Sequence, residues 1–322
     1  MRIAIIGTGG VGAHYGSCLI RGGQEVHLVT TPRHVEAIEA GGLVDVTDGG
    51  TQILRPASAT TDPADVGPVD AVIVTVKLYQ FEAATERADA LIGPGTVALT
   101  LQNGVSAPGL LARHIGPDHV LPGTAAIVAW LEGPGRVRQT GGRPSVTIAA
   151  RTLADAEAPS SGAETPSSGA DPRAQALADA FARGGVGATL AEDIDRALWT
   201  KFALICTMGG VNTLADATVG EVRSFPPTRA LMEESLDEVL AVARGRGVGL
   251  TPEDCAGVLA QLDGVAADST TSMQRDLQQR RPSELGFLNG ALVDLAREAG
   301  VDVPLHRTIV AVAGLHARRG RV

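Results

Sequence analysis

At 322 residues the chain exceeds one ordinary core, and its length predicts two domains with a ligand cleft between them. A formal net charge of -9 argues against nucleic-acid and anionic-membrane partners and leaves a small soluble ligand. With aromatics at 3%, Ala, Val, Leu and Ile must fill the cores.

Cys18, Cys206 and Cys255 are too scattered for a disulfide framework or a metal site, and the histidines form no ligand-spaced cluster. No apolar run reaches membrane-spanning length, and the N-terminal one stops at Gly7, short of a signal-peptide core. A cytoplasmic protein with no metal is the expectation.

In chain order, Ile3-Ala4-Ile5-Ile6 reads as a buried parallel strand. Gly7-Thr8-Gly9-Gly10-Val11-Gly12 follows it directly, opens a helical stretch, and is answered by a second strand over 25–30. That context turns a weak G-x-G-x-x-G match into a dinucleotide-binding β-α-β unit, with Gly7 for the tight turn, Gly9 for approach to the pyrophosphate and Gly12 for helix–sheet packing. The second strand ends in Thr30-Thr31-Pro32-Arg33, with no carboxylate for the ribose hydroxyls of NAD. Arg33 is placed either to take a 2′-phosphate, which makes NADP(H) the preferred cofactor over NAD(H), or simply as an exposed arginine at a helix start.

Strands are expected at 71–76 and 96–101, ending in Lys77 and in Gln102-Asn103-Gly104, at the edge of a parallel sheet where ligands bind; Asn-Gly is equally a common turn. Residues 122–150 read as antiparallel additions at the sheet edge, 154–172 as a mobile Pro/Ser/Gly/Ala insertion, 173–183 as a helix and 186–191 as a strand. Beyond them the periodicity is helical throughout, which divides the chain into an α/β domain, 1–191, and an all-α domain, 192–322.

In the helical part Ile194, Leu198, Lys201, Ile205 and Met208 recur at helical spacing, so Lys201 shares an apolar stripe. A lysine held there has its pKa lowered and becomes a general acid for carbonyl reduction; the alternative is a stem that snorkels to water. Ser272 lies in a polar stretch, and Glu284 opens a helix with the stripe Leu288, Leu292, Leu295 and Ala299, stopped by Gly300. An acid in a first turn is also an ordinary dipole complement.

The order of these segments resembles the ketopantoate reductase (2-dehydropantoate 2-reductase) family over nearly the whole chain except 154–172. The likeness rests on the glycine motif, Val74-Thr75-Val76-Lys77, Gln102-Asn103-Gly104, Leu198-Trp199-Thr200-Lys201-Phe202, Val219-Gly220-Glu221, and Thr271-Ser272-Met273 followed by Glu284 and Asn289-Gly290. It implies a Rossmann domain, a helical second domain, and NADPH-dependent reduction of a 2-oxo acid, either ketopantoate in pantothenate biosynthesis or a more apolar relative. By this resemblance Lys201 protonates the nascent alkoxide, while Glu284 binds the substrate hydroxyl and holds the lysine. Ser272 takes the carboxylate, Asn289 joins the substrate set, and Asn103 and Lys77 line the cofactor and substrate side. The family admits a homodimer.

Family members commonly carry asparagines four and eight residues after the lysine, where this chain has Ile205 and Gly209, with Asn212 further along. Val219 also replaces an asparagine, and Thr31 an arginine for which Arg33 is the substitute. The missing asparagines also suit a dinucleotide-binding sensor without efficient turnover, and a third reading is another two-domain dehydrogenase such as one reducing an imine.

Overall fold

The computed structural model describes residues 1–157 and 169–319. They form two compact units, one of Met1–Gln102 with Ser106–Ile194, the other of Asn103–Val105 with the residues from Asp195 on.

The first unit runs β1 (Arg2–Ile6), α1 (Gly10–Arg21), β2 (Glu25–Val29), α2 (Pro32–Gly41), β3 (Leu43–Thr47), β4 (Gly50–Leu54), β5 (Ser58–Thr60), β6 (Ala71–Val74), α3 (Phe81–Thr85) and β7 (Val97–Thr100). It continues with α4 (Ala107–Ile115), β8 (Val120–Gly133), β9 (Arg136–Ala149), α5 (Leu153–Glu157), α6 (Pro172–Arg183) and β10 (Gly187–Ala191). One ten-stranded sheet takes the order β4-β3-β9-β8-β7-β6-β1-β2-β5, with β10 paired to β9. Only the β3–β4 and β8–β9 pairs are antiparallel. The expected mixed, mostly parallel α/β architecture is therefore present. The long β8–β9 hairpin is not confined to an edge, because β8 also runs parallel to β7, through Ala98↔Val120 and Leu99↔Leu121.

β1 and β6 lie mid-sheet, so both faces of each must be covered, and they read as continuous apolar runs for that reason. Ile5 pairs with Leu28 on one side and Ile73 on the other, and all three are fully buried. Each such side chain stabilises the fold by roughly 1.5–3 kcal/mol. The β3–β4 hairpin and short β5 were not anticipated. Their signal was present in Asp48-Gly49 between two β-prone runs, but Asp45 breaks the apolar pattern.

Asp45 is buried because it is paired: His14 Nδ1 lies 2.9 Å from Asp45 Oδ1, and its Nε2 3.4 Å from Cys18 Sγ. Arg21 donates to the same sulfur at 3.2 Å and lies 3.9 Å from Asp45 Oδ2, so His14 and Arg21 pin α1 to β3 by charge as well as by packing. Burial by itself would lower the His14 pKa, but the hydrogen bonds to Asp45 and Cys18 outweigh it and raise it from 6.5 to about 9. A raised folded-state pKa adds stability that is fully present below pH 6.5 and is lost as pH climbs through about 9. Denaturant titrations should therefore show stability falling across that window, and Asp45→Asn should flatten the slope; an unchanged slope in the variant would exclude this pair as its source.

Of the insertion expected at 154–172, residues 158–168 lie outside the described residues, 154–157 belong to α5 and Pro172 opens α6. Among the described residues no helix is long and apolar enough to cross a membrane, and no group of three His, Cys, Asp or Glu is placed to hold a metal.

The second unit is helical: α7 (Ile194–Ala215), α8 (Val219–Ser224), α9 (Pro226–Gly245), α10 (Pro252–Gly264), α11 (Ser272–Gln278), a π-helical turn at Gly286–Gly290, α12 (Ala291–Ala299) and α13 (Pro304–Arg319). Capping boxes at Thr218/Glu221 and Thr251/Asp254 start α8 and α10. At the start of α13, Glu238 of α9 accepts from the Leu305 and His306 N–H groups at 2.8 and 2.9 Å and contacts His306 Nδ1 at 2.7 Å, a buried clamp that satisfies otherwise orphaned donors. Trp199, Phe202, Met232, Leu236, Val239, Leu288 and Leu292 belong to its core.

Candidate functional site

In the first unit the glycine motif forms the turn from β1 into α1. Gly7 has φ +97°, and a Cβ there would lie 2.5 Å from Val76 Cγ1, so neither conformation nor space admits a side chain. At Gly12 a Cβ would fall 2.0 Å from the Gly7 carbonyl oxygen and 2.3 Å from Thr75 Oγ1, and at Gly10 it would fall 2.4 Å from the Ala129 carbonyl oxygen. Gly9 differs: no atom lies within 4 Å of where its Cβ would be.

Gly9 also caps α1 without any side-chain bond, and the first turn of that helix contains no acidic residue. A helix N-terminus with open space at its cap and its N–H groups uncovered by side chains fits a pyrophosphate. Thr8 is buried, with its hydroxyl bonded to that of Thr30, which ties the loop to the end of β2; Val11 is half-buried behind it.

Thr75 holds this loop, and Gln102 holds the strand ends beside it. Thr75 Oγ1 donates to the carbonyls of Gly7 at 2.6 Å and Ile6 at 3.2 Å. Gln102 Nε2 donates to Val74 O at 2.9 Å and Val76 O at 3.2 Å, which stitches the ends of β6 and β7 together. Both lie inside segments that carry the family likeness, but a polar residue after a strand gives no signal of what it will bond. Lys77 is half-buried and N-terminal to a 3-10 turn at Leu78–Gln80. Arg33 is exposed in the first turn of α2, whose N-cap is Thr31. Next to it His34 is depressed in pKa, by burial first and by the Arg33 charge second.

The second unit holds Lys201 and Glu284. Lys201 retains some accessible surface, yet protein surrounds the ammonium closely enough that desolvation lowers its pKa from 10.5 to about 8, against the opposing pull of the Glu284 carboxylate. Glu284 is 3% exposed. It does not begin an ordinary helix as its position implied: its carbonyl accepts from Phe287 and Leu288 N–H, both at 2.9 Å, and the π turn intervenes before α12. Leu288 in the π turn and Leu292 and Ala296 in α12 are buried, while Leu295 and Ala299 are only half-buried.

The stripe expected on α7 also needs correction. Of the expected stripe only Leu198 is buried, together with Trp199, Phe202, Ala203, Cys206 and Gly210, whereas Ile194, Lys201, Ile205 and Met208 form a half-buried flank. A helix that is apolar nearly all round offers several acceptable stripes, so periodicity alone does not choose among them.

Asn289 is fully buried and donates from Nδ2 to the Cys206 carbonyl at 3.0 Å; a Cβ on Gly210 would lie 2.7 Å from that nitrogen, so glycine there lets the π turn approach α7. Asn289 Oδ1 has no hydrogen-bond partner. Asn103 is half-buried and precedes Gly104 at φ +95°, in the short segment that groups with the helical unit. Ser272 is the exposed first residue of α11, capped by Thr271. Asn212, fully buried, donates to the Ala217 carbonyl at 3.1 Å. Lys201, Glu284 and Asn289 thus gather around α7, with Ser272, Asn103 and the glycine loop on other segments.

The family model "Ketopantoate reductase PanE/ApbA" matches residues 3–152, and its C-terminal counterpart matches residues 193–317. A 2-dehydropantoate 2-reductase of Halobacterium salinarum is 32% identical over 322 residues, covering 99% of this chain and 100% of that protein. One from Streptococcus pyogenes serotype M1 is 26% identical, covering 99% and 98%. The crystal structure of a PanE/ApbA family ketopantoate reductase from Ralstonia eutropha JMP134 superposes with a TM-score of 0.86 at 28% identity, over 100% of both chains.

Proposed function

The chain belongs to the ketopantoate reductase family, oxidoreductases acting on CH–OH groups, and on that footing we propose that it reduces a 2-oxo acid to the 2-hydroxy acid with NADPH. The observation that carries this reading is Lys201, a half-buried lysine beside Glu284 whose ammonium is desolvated enough to bring its pKa down to about 8. The glycine loop of Gly7, Thr8, Gly9, Gly10, Val11 and Gly12 would hold the pyrophosphate, Arg33 the 2′-phosphate, and Lys77 and Asn103 the remainder of the dinucleotide. When bound, the nicotinamide supplies the hydride for the ketone carbon. Lys201 delivers the proton to the ketone oxygen as that oxygen gains charge, and its cationic head stabilises charge that exists only in the transition state. Glu284 orients the ammonium. Ser272 takes the substrate carboxylate, and Asn289 supports this wall of the site by holding the π turn against α7.

NADPH consumption against a panel of 2-oxo acids tests the activity. Tight NADPH binding with no turnover of any member would instead favour a sensor. The dinucleotide preference has its own test in Arg33→Ala, which should raise KM for NADPH roughly tenfold, as expected for loss of one charge-assisted phosphate contact, and leave KM for NADH unchanged. Equal changes for both would remove Arg33 from the 2′-phosphate site.

A further inference from the structure

The flank of α7 that carries Lys201 has a chemical character of its own. Ile205 and Met208 follow Lys201 at intervals of four and three, on the same side of the helix, and both are half-buried with surface still accessible. The adjoining Gly209 is buried and has no side chain to offer; a Cβ there would lie 3.2 Å from Met273 Cε, so the thioether end of Met273 occupies the space a longer residue would take. Asn212 follows further along, with its Nδ2 committed to the Ala217 carbonyl and its Oδ1 buried without a hydrogen-bond partner. Between the reactive ammonium and that residue the accessible side chains of this flank, Ile205 and Met208, are hydrocarbon or thioether and cannot bond a hydroxyl.

We infer that this flank receives the side chain of the 2-oxo acid and selects one that is wholly apolar, branched aliphatic or aryl, over one that carries a hydroxyl, with Ile205, Met208 and Met273 as the specificity-determining residues. The inference rests on the proposal that Lys201 protonates the ketone oxygen, because that fixes where the rest of the substrate begins. A hydroxyl carried onto this surface loses its water and finds no partner. An apolar pocket rejects an added hydroxyl by no more than about a hundredfold, so the preference is finite and measurable.

Ketopantoate and trimethylpyruvate differ by one hydroxyl group, which makes them the probe pair. With NADPH and the full chain, kcat/KM for trimethylpyruvate should exceed that for ketopantoate by at least about tenfold. Ile205→Asn, which adds a donor and an acceptor one turn from Lys201, should move that ratio toward ketopantoate by a similar factor, and Met208→Gln should move it in the same direction. A wild-type enzyme that reduces ketopantoate as well as or better than trimethylpyruvate overturns the inference while leaving 2-oxo acid reduction intact. Absence of turnover with either acid overturns both.

Discussion

Lys201→Ala should lower kcat by at least about a hundredfold, the usual contribution of a positioned general acid, with KM for the dinucleotide unchanged. The expectation follows from where the lysine is held. An ammonium in water, near pKa 10.5, would be a poor donor to an alkoxide formed at neutral pH; desolvation brings Lys201 to about 8, where it is still mostly protonated at pH 7 yet releases its proton readily. The sign of the pH dependence is fixed by the same argument. A general acid works only while protonated, so kcat should fall as pH rises past about 8. Glu284 is the group that opposes the lowering, so Glu284→Gln should move this limb to lower pH in addition to reducing the rate. A Lys201→Ala enzyme with undiminished turnover, or a wild-type profile flat through pH 9, would remove the lysine from the chemistry.

The two halves of the chain differ in how much of this the sequence disclosed. The β1–α1–β2 unit was legible because its glycines fall at fixed offsets: Gly7 and Gly12 where a side chain would clash, and Gly9 at the open cap. Central strands such as β6 were legible because burial on two faces leaves only apolar residues. The hairpin over Leu43–Leu54 was harder because its Asp45 is buried through an ion pair with His14, a partner remote in sequence that no local pattern announces.

In the helical unit, periodicity found α7 but chose a flank in place of its buried face, because that helix is apolar on several sides. The π turn after Glu284 escaped for a different reason. A single inserted residue leaves composition untouched, so no local pattern announces it; Leu288 and Leu292 are buried as expected, while Ala296 is buried and Leu295 and Ala299 are half-buried. The same turn brings Asn289 onto the Cys206 carbonyl, a contact that needs Gly210 opposite it and is invisible until the two segments are in register.

Gly12→Ala should abolish measurable dinucleotide binding even though it adds one methyl group. The new Cβ would lie 2.0 Å from the Gly7 carbonyl oxygen and 2.3 Å from Thr75 Oγ1, well inside any permitted contact. The Gly7 oxygen is backbone and is held by the Thr75 hydroxyl, which donates to it at 2.6 Å. Relief must therefore come from displacing the start of α1 or the Thr75 hydroxyl, and either movement disrupts the turn that presents the helix N-terminus to phosphate. Overpacking of this kind ordinarily costs about 1–3 kcal/mol in stability, so the variant should still fold, with a lower denaturation midpoint. Calorimetric titration with NADPH and NADH would then show at least about a hundredfold weaker binding of both, since the pyrophosphate is common to the two. Gly9→Ala is the informative companion. Its Cβ meets nothing within 4 Å, so stability should be unchanged while binding still weakens as the methyl occupies the space left for phosphate. Native-like affinity in Gly9→Ala would mean that the dinucleotide does not approach α1 at this point.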